Sequence, residues 1–121
     1  MSMRELPPQV QNQLAQFQQL QQQLQVLASQ RLQLEAKLRE VTGTIEELGK
    51  VGPETPVYRS TGALLVRVED REGLKKELEE QKETLEIRVN TIKKQEKSLG
   101  ERYEDLQAKL SQALEGGPSA G

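Results

Sequence analysis

The chain has 121 residues, of which 34% are hydrophobic and 30% charged, and its aromatic residues are one Phe and two Tyr. This composition offers little material for a globular core and fits an extended helical assembly better. A net charge of −2 with interspersed signs disfavours nucleic-acid binding, and the absence of Cys and His excludes disulfides and ordinary zinc sites.

The first element is predicted to be a coiled-coil helix over residues 8–48. It begins at Pro8 because proline is tolerated in the first helical turn. Steps of three and four residues mark a seam that is apolar at all but two positions. The seam comprises Val10, Gln13, Phe17, Leu20, Leu24, Leu27, Arg31, Leu34, Leu38, Val41, Ile45 and Leu48. The many Gln residues between them are interpreted as exposed helix formers, not as an aggregating tract.

Residues 49–69 are predicted to form a linker and a β-hairpin. Gly49 and the following Gly and Pro residues end the first helix. Two short apolar runs flank a turn at Thr61 and Gly62, which pairs Val57 with Val66, Tyr58 with Leu65 and Arg59 with Leu64. Both hairpin faces are largely apolar, and two isolated strands are marginal in water, so other subunits must supply further strands. The predicted oligomerisation residues are Val57, Tyr58, Leu64, Leu65, Val66 and Val68.

A second coiled-coil helix is predicted over residues 70–115. Asp70 is the expected N-cap, and Glu72 is favourable in the first turn. One seam row is apolar and the other is mixed. The rows are Leu78, Leu85, Ile92, Leu99, Leu106 and Ala113, and Lys75, Lys82, Val89, Glu96, Tyr103 and Leu110. Residues 116–121 are rich in helix breakers and are expected to form a disordered tail.

When the chain is folded about its predicted turn, every seam residue of one helix meets a seam residue of the other. This matching predicts an antiparallel pair, although a shift of one heptad would preserve it. Arg31 then lies one layer from Glu96, and we expect an ion pair between them; the alternative is that Arg31 extends to solvent. Gly43 and Gly100 lie within the predicted helices, where glycine lowers helix stability. Each is interpreted either as a flexible point of the helix or as a tolerated defect or a crowded helix contact.

Enzymatic chemistry is not expected from this sequence. A pair of helices offers no ordinary active-site pocket, and its glycines do not form a phosphate-binding motif, so neither a catalytic site nor a cofactor is predicted. No apolar run approaches the roughly 18 residues that span a bilayer, and the N-terminal residues lack the apolar centre of a signal peptide. A cytoplasmic location without membrane or nucleic-acid partners is therefore expected.

Two stretches carry a resemblance to a known family. The sequence Q-N-Q-L-A-Q-F-Q-Q-L-Q-Q-Q-L-Q-V-L lies in the first helix and V-Y-R-S-T-G-A-L-L-V-R-V in the hairpin, and with the order helix, hairpin, helix they resemble the β class of archaeal prefoldin subunits. The resemblance implies a heterohexamer of two α and four β subunits, built on an intersubunit β-barrel of hairpins. It also implies an ATP-independent holdase that captures unfolded proteins at the coiled-coil tips and delivers them to a group II chaperonin.

The resemblance places client binding at the tips, where the sequence brings five apolar residues together. They are Val10, Leu14, Phe17, Leu110 and Leu114. Leu14 and Leu114 lie one position off the seam, so we expect both to remain partly exposed, whereas the others can be satisfied by packing between the helices. A structural filament or tether subunit built on the same hairpin is the alternative function, and a plain adaptor coiled coil is a third.

Overall fold

The computed structural model describes residues 5–116 of the chain. Its elements are helix α1 over Pro8–Lys50, strand β1 over Tyr58–Thr61, strand β2 over Leu64–Arg67 and helix α2 over Arg71–Gly116. The fold is mainly α, with two long helices joined by one β-hairpin, as the sequence predicts. The predicted tail lies outside the described residues except for Gly116, which is the last residue of α2. Within residues 5–116, neither helix has a stretch long and apolar enough to cross a bilayer.

Helix α1 begins at Pro8 and ends two residues later than predicted. At its start, the Gln11 backbone N–H donates to the Pro7 carbonyl, and Gln11 Nε2 donates to the Leu6 carbonyl at 2.8 Å. The prediction that Gly49 ends the helix is wrong, because one glycine costs only about 1 kcal/mol in a helix and α1 includes it. The chain leaves the helix at a turn in which the Thr55 N–H donates to the Gly52 carbonyl at 3.1 Å. Pro53 occupies the second position of this turn, which its fixed φ favours.

Helix α2 starts at the N-cap predicted from the sequence. Asp70 Oδ1 accepts a hydrogen bond from the Gly73 backbone N–H at 2.9 Å, which satisfies one of the free donors of the first turn. Glu72 lies in that turn, where its charge complements the helix dipole. A Cβ atom at Gly73 would clash with the Asp70 carboxylate, so glycine leaves room for the capping side chain.

The hairpin register differs from the predicted one. Tyr58 pairs with Arg67, Arg59 with Val66, and Thr61 with Leu64. The predicted partners of Val57, Tyr58 and Arg59 were therefore wrong by two residues, and the turn is formed by Gly62 and Ala63. Gly62 has a φ of 59°, which fits a two-residue hairpin turn with glycine at its first central position. Because side chains alternate with a period of two, a shift of two residues leaves the predicted faces unchanged.

The chain divides into two compact units, each containing parts of both helices. The terminal unit comprises the described parts of Met1–Arg31 and Thr91–Gly121, and the hairpin unit comprises Leu32–Asn90. Leu20 and Leu110 are the buried hydrophobic residues among the described residues of the terminal unit, and Val41, Leu85 and Val89 are those of the hairpin unit. All of them are predicted seam residues, so the period of the sequence identifies the buried positions of both units.

Two glycines within the helices offer a stability test. A Cβ atom at Gly43 or Gly100 would meet nothing within 4 Å in the described chain, which argues against a crowded contact there. We expect Gly43→Ala and Gly100→Ala each to raise the free energy of unfolding by about 0.5–1 kcal/mol, because alanine loses less backbone entropy in a helix. Urea unfolding followed by circular dichroism measures the change.

The matched control is Gly62→Ala, which also faces open space but has a positive φ. This substitution should lower the free energy of unfolding, because alanine is strained in that conformation. Equal changes in the free energy of unfolding at all three glycines would contradict this explanation, in which Gly62 requires its positive φ and Gly43 and Gly100 do not.

Candidate functional site

The hairpin carries the largest set of exposed apolar side chains in the described chain. Tyr58, Leu64, Leu65 and Val66 are between 48% and 73% exposed. Val57 and Val68, which continue the ladder through a hydrogen bond from the Val68 N–H to the Val57 carbonyl at 2.8 Å, are partly buried. The six residues predicted for oligomerisation therefore lie together on one hairpin.

These apolar residues occupy both faces of the hairpin. Leu64 and Val66 lie on one face, and Tyr58 and Leu65 lie on the other, as the observed register requires. Residues 5–116 cover neither face of the two strands, because every residue of both strands is exposed. An exposed apolar patch of this kind is typical of a protein–protein contact.

Two arginines connect elements of the hairpin unit: Arg59 connects β1 to α2, and Arg71 connects the start of α2 to the linker that follows α1. Arg59 Nη2 lies 2.7 Å from Glu77 Oε2 of α2, and Arg71 Nη1 donates to the Gly52 carbonyl at 2.8 Å. The Arg59 and Glu77 side chains are about half exposed, so their ion pair contributes at most about 1 kcal/mol to stability. Its structural effect is to set the position of β1 against α2.

The terminal unit contains the five residues predicted for client binding, but it presents them unequally. Leu110 is buried, whereas Val10, Leu14 and Phe17 are partly buried. The Phe17 ring stacks on Tyr103 with centroids 4.6 Å apart and planes inclined by 20°, so packing between the helices satisfies it. Leu114 is 53% exposed, which confirms its expected exposure, and Leu14 is more accessible than the buried seam residues.

Arg31 and Glu96 form the predicted ion pair. Arg31 Nε donates to Glu96 Oε1 at 2.6 Å, and the two side chains are only 26% and 20% exposed. Tyr103 lies one layer before the residue that the predicted register places opposite Phe17. Glu96 lies one layer after the residue that the same register places opposite Arg31. Together they select the predicted register in the terminal unit, because a shift of one heptad would misplace one of the two contacts.

The seam pattern missed some accessible apolar side chains on the helices. Val26, Leu32 and Ile87 lie off the seam and are exposed. Val26 borders a groove of about 810 Å³ in the terminal unit, between Gln19 and Gln30 of α1 and between Gln95 and Arg102 of α2. The Gln residues of α1, interpreted from the sequence as exposed helix formers, were the available signal for this groove.

Comparison with known proteins decides the family. The profile of the family described as "Prefoldin subunit" matches residues 11–117. The prefoldin subunit β of Archaeoglobus fulgidus is 54% identical over 98% of this chain and all of its own length. The chain belongs to the prefoldin subunit family. A second β subunit, from Thermoplasma volcanium, is 48% identical over 84% of the chain and 82% of its own length.

Solved structures agree with this assignment. The crystal structure of the prefoldin β subunit from Thermococcus strain KS-1 matches with a TM-score of 0.80 at 35% identity, covering 91% of this chain and 96% of that one. The β2 subunit of the same strain matches with a TM-score of 0.66 at 23% identity, covering 76% of this chain and 97% of that one, which supports the fold alone. The resemblance to β-class prefoldin subunits seen in the sequence is thereby confirmed.

The Arg31–Glu96 pair of this prefoldin subunit provides a test of the helix register. A double-mutant cycle with Arg31→Ala and Glu96→Ala should give a coupling free energy of about 1 kcal/mol, because the partly buried pair is less screened than a surface pair. Urea unfolding of the four proteins measures the coupling, and added salt should reduce it. The exposed i,i+3 pair of Glu47 and Lys50, 3.6 Å apart, is the control and should show weaker coupling. Zero coupling at Arg31 and Glu96 would remove the proposed role in register.

Proposed function

We propose that this prefoldin subunit is part of an ATP-independent chaperone that holds non-native proteins. The observation that carries the proposal is the 54% identity to a prefoldin β subunit over 98% of the chain. The exposed apolar side chains support it, since a holding chaperone must present apolar surface both for assembly and for its clients. The proposed activity requires neither an enzymatic site nor a cofactor.

Assembly is assigned to the hairpin. We infer that α-type and further β-type subunits cover its two faces, in a hexamer of two α and four β subunits whose hairpins form a β-barrel. Burial of this apolar surface is worth roughly 25 cal/mol per Å², and neighbouring strands would satisfy the open backbone edges of β1 and β2. The exposure of both faces in the single chain supports this role.

Client binding is assigned to the terminal unit. Leu114 is the exposed member of the proposed client-binding set and Leu14 is partly accessible, whereas Leu110 is buried and Val10 and Phe17 are partly buried. Contacts of this kind are non-directional and suit weak, sequence-tolerant capture repeated over several subunits. The proposed function continues with delivery of the client to a group II chaperonin in the cytoplasm, without membrane or nucleic-acid partners.

A structural filament or tether subunit built on the same hairpin is the alternative function. The two are separated by mixing the assembled complex with a chemically denatured test protein and following light scattering on dilution. A holding chaperone should suppress aggregation without ATP, and should do so best with an α-type partner present. A tether should leave the scattering unchanged.

The hairpin assignment predicts the effect of added charge. The double variant Leu64→Lys and Val66→Lys places two cations on one apolar face, so the complex should dissociate into smaller species while helicity is retained, because buried unpaired charges are costly. Analytical ultracentrifugation and circular dichroism measure the two properties. The control is Asn90→Lys with Gln107→Lys, two exposed helix positions that should leave the mass unchanged. An intact complex in the hairpin variant would refute the assignment.

The terminal unit is tested with two leucines of similar exposure. Leu114→Ser should raise the complex concentration needed for half-maximal suppression of aggregation by about fivefold, which corresponds to about 1 kcal/mol of lost apolar burial. Leu32→Ser is the control, because Leu32 is 59% exposed against 53% for Leu114 but lies in the hairpin unit. Equal effects would place client binding elsewhere on the helices.

A further inference from the structure

The groove in the terminal unit is long enough to hold a short stretch of extended polypeptide. Its main part has a volume of about 810 Å³, and an adjoining cavity of about 310 Å³ shares Gln19, Gln23 and Arg102 with it and reaches Gln16. From Gln16 to Gln30 the helix rises about 21 Å at 1.5 Å per residue. Six residues of extended chain cover a similar distance, at about 3.3 Å per residue.

The polar lining of the groove consists mainly of side-chain amides. Five exposed carboxamides border the main part, namely those of Gln19, Gln22, Gln23, Gln30 and Gln95. None of them hydrogen-bonds to another group in residues 5–116. Each carboxamide offers two donors and an acceptor, and no acidic side chain lines either part of the groove.

The apolar part of the lining comes from both helices. Val26 is exposed, and Leu27 of α1 and Leu99 of α2 are partly buried beside it. The groove therefore combines an apolar strip, which can bury side chains of any apolar type, with hydrogen-bonding groups that match no single side chain. Arg102 is its one charged lining residue among those described, so a strongly charged occupant is not selected.

We propose that this groove binds an extended segment of a non-native polypeptide through its backbone. The peptide groups of an extended chain repeat a donor and an acceptor at every residue, which is the chemistry that the free carboxamides complement. A helix satisfies these backbone groups internally, so a helix of a folded protein or of a second copy of this chain could not use them. This inference rests on the proposed chaperone function and adds a backbone-reading site to the apolar contacts at Leu14 and Leu114.

The test uses two sets of substitutions on the same helix. The groove variant is Gln22→Ala, Gln23→Ala and Gln30→Ala, and the control is Gln18→Ala, Gln21→Ala and Gln25→Ala. The control residues are exposed Gln residues of α1 outside both parts of the groove. Both variants keep the net charge, and alanine favours the helix. Each is assembled with its partner subunits, and circular dichroism and analytical ultracentrifugation check helicity and mass.

Two fluorescent ten-residue peptides of Leu, Ser and Gly serve as probes, one with an ordinary backbone and one with alternate backbone nitrogens methylated. The ordinary peptide should bind the groove variant about tenfold more weakly than the wild type or the control, because several backbone hydrogen bonds are lost. Methylation should weaken binding to the wild type by a similar factor and have little further effect on the groove variant, as in a double-mutant cycle.

Equal affinities in the groove and control variants, or an equal effect of methylation on all proteins, would overturn the backbone-binding site. A change of mass confined to the groove variant would also overturn it, by showing that the groove is a contact between subunits. If the variants behave alike but the complex still suppresses aggregation, only this inference fails. If the wild-type complex neither binds the probes nor suppresses aggregation, the proposed chaperone function fails with it.

Discussion

Burial of the seam between the two helices is the constraint on which the rest of the chain depends. Among the described residues the hairpin is the one small additional element, so each helix must cover its apolar row with the other. In the terminal unit this burial centres on Leu20 and Leu110, and in the hairpin unit on Val41, Leu85 and Val89. An isolated helix gains little from its own hydrogen bonds in water, and the stability of α1 and α2 therefore comes mainly from this shared burial.

The small number of described elements also explains why so much apolar surface remains exposed. Side chains in the seam pack within each unit, whereas no described element covers Leu64 and Leu65 in the hairpin or Val26 in the terminal unit. Two strands cannot enclose a core, and a groove between two helices is open along its length. The seam residues thus stabilise the fold of the subunit, whereas the exposed residues of the hairpin and the groove are available to other molecules.

Regular features were predictable from the sequence, whereas details of turn and groove shape were not. The heptad period identified every buried hydrophobic residue among those described, and it placed Arg31 next to Glu96, because a period reports directly which positions face the partner helix. The Asp70 cap followed from local chemistry. The hairpin register was wrong because the turn was centred on Thr61 and Gly62. A β-branched Thr at a positive φ is unfavourable, and this already favoured Gly62 as the first turn residue. The groove was not predicted because the heptad period identifies the residues that contact the partner helix but not the open space beside those contacts.

The stacking of Phe17 on Tyr103 has a spectroscopic consequence. The chain has no Trp and only two Tyr residues, one in each unit, and their surroundings differ. Tyr103 is partly buried against an aromatic ring, whereas Tyr58 is 56% exposed on the hairpin. Excitation of tyrosine therefore gives signals from two known places without interference from indole. Tyr103→Phe or Tyr58→Phe leaves a single tyrosine, so that Tyr58 reports the environment of the hairpin and Tyr103 that of the helix pair in the terminal unit.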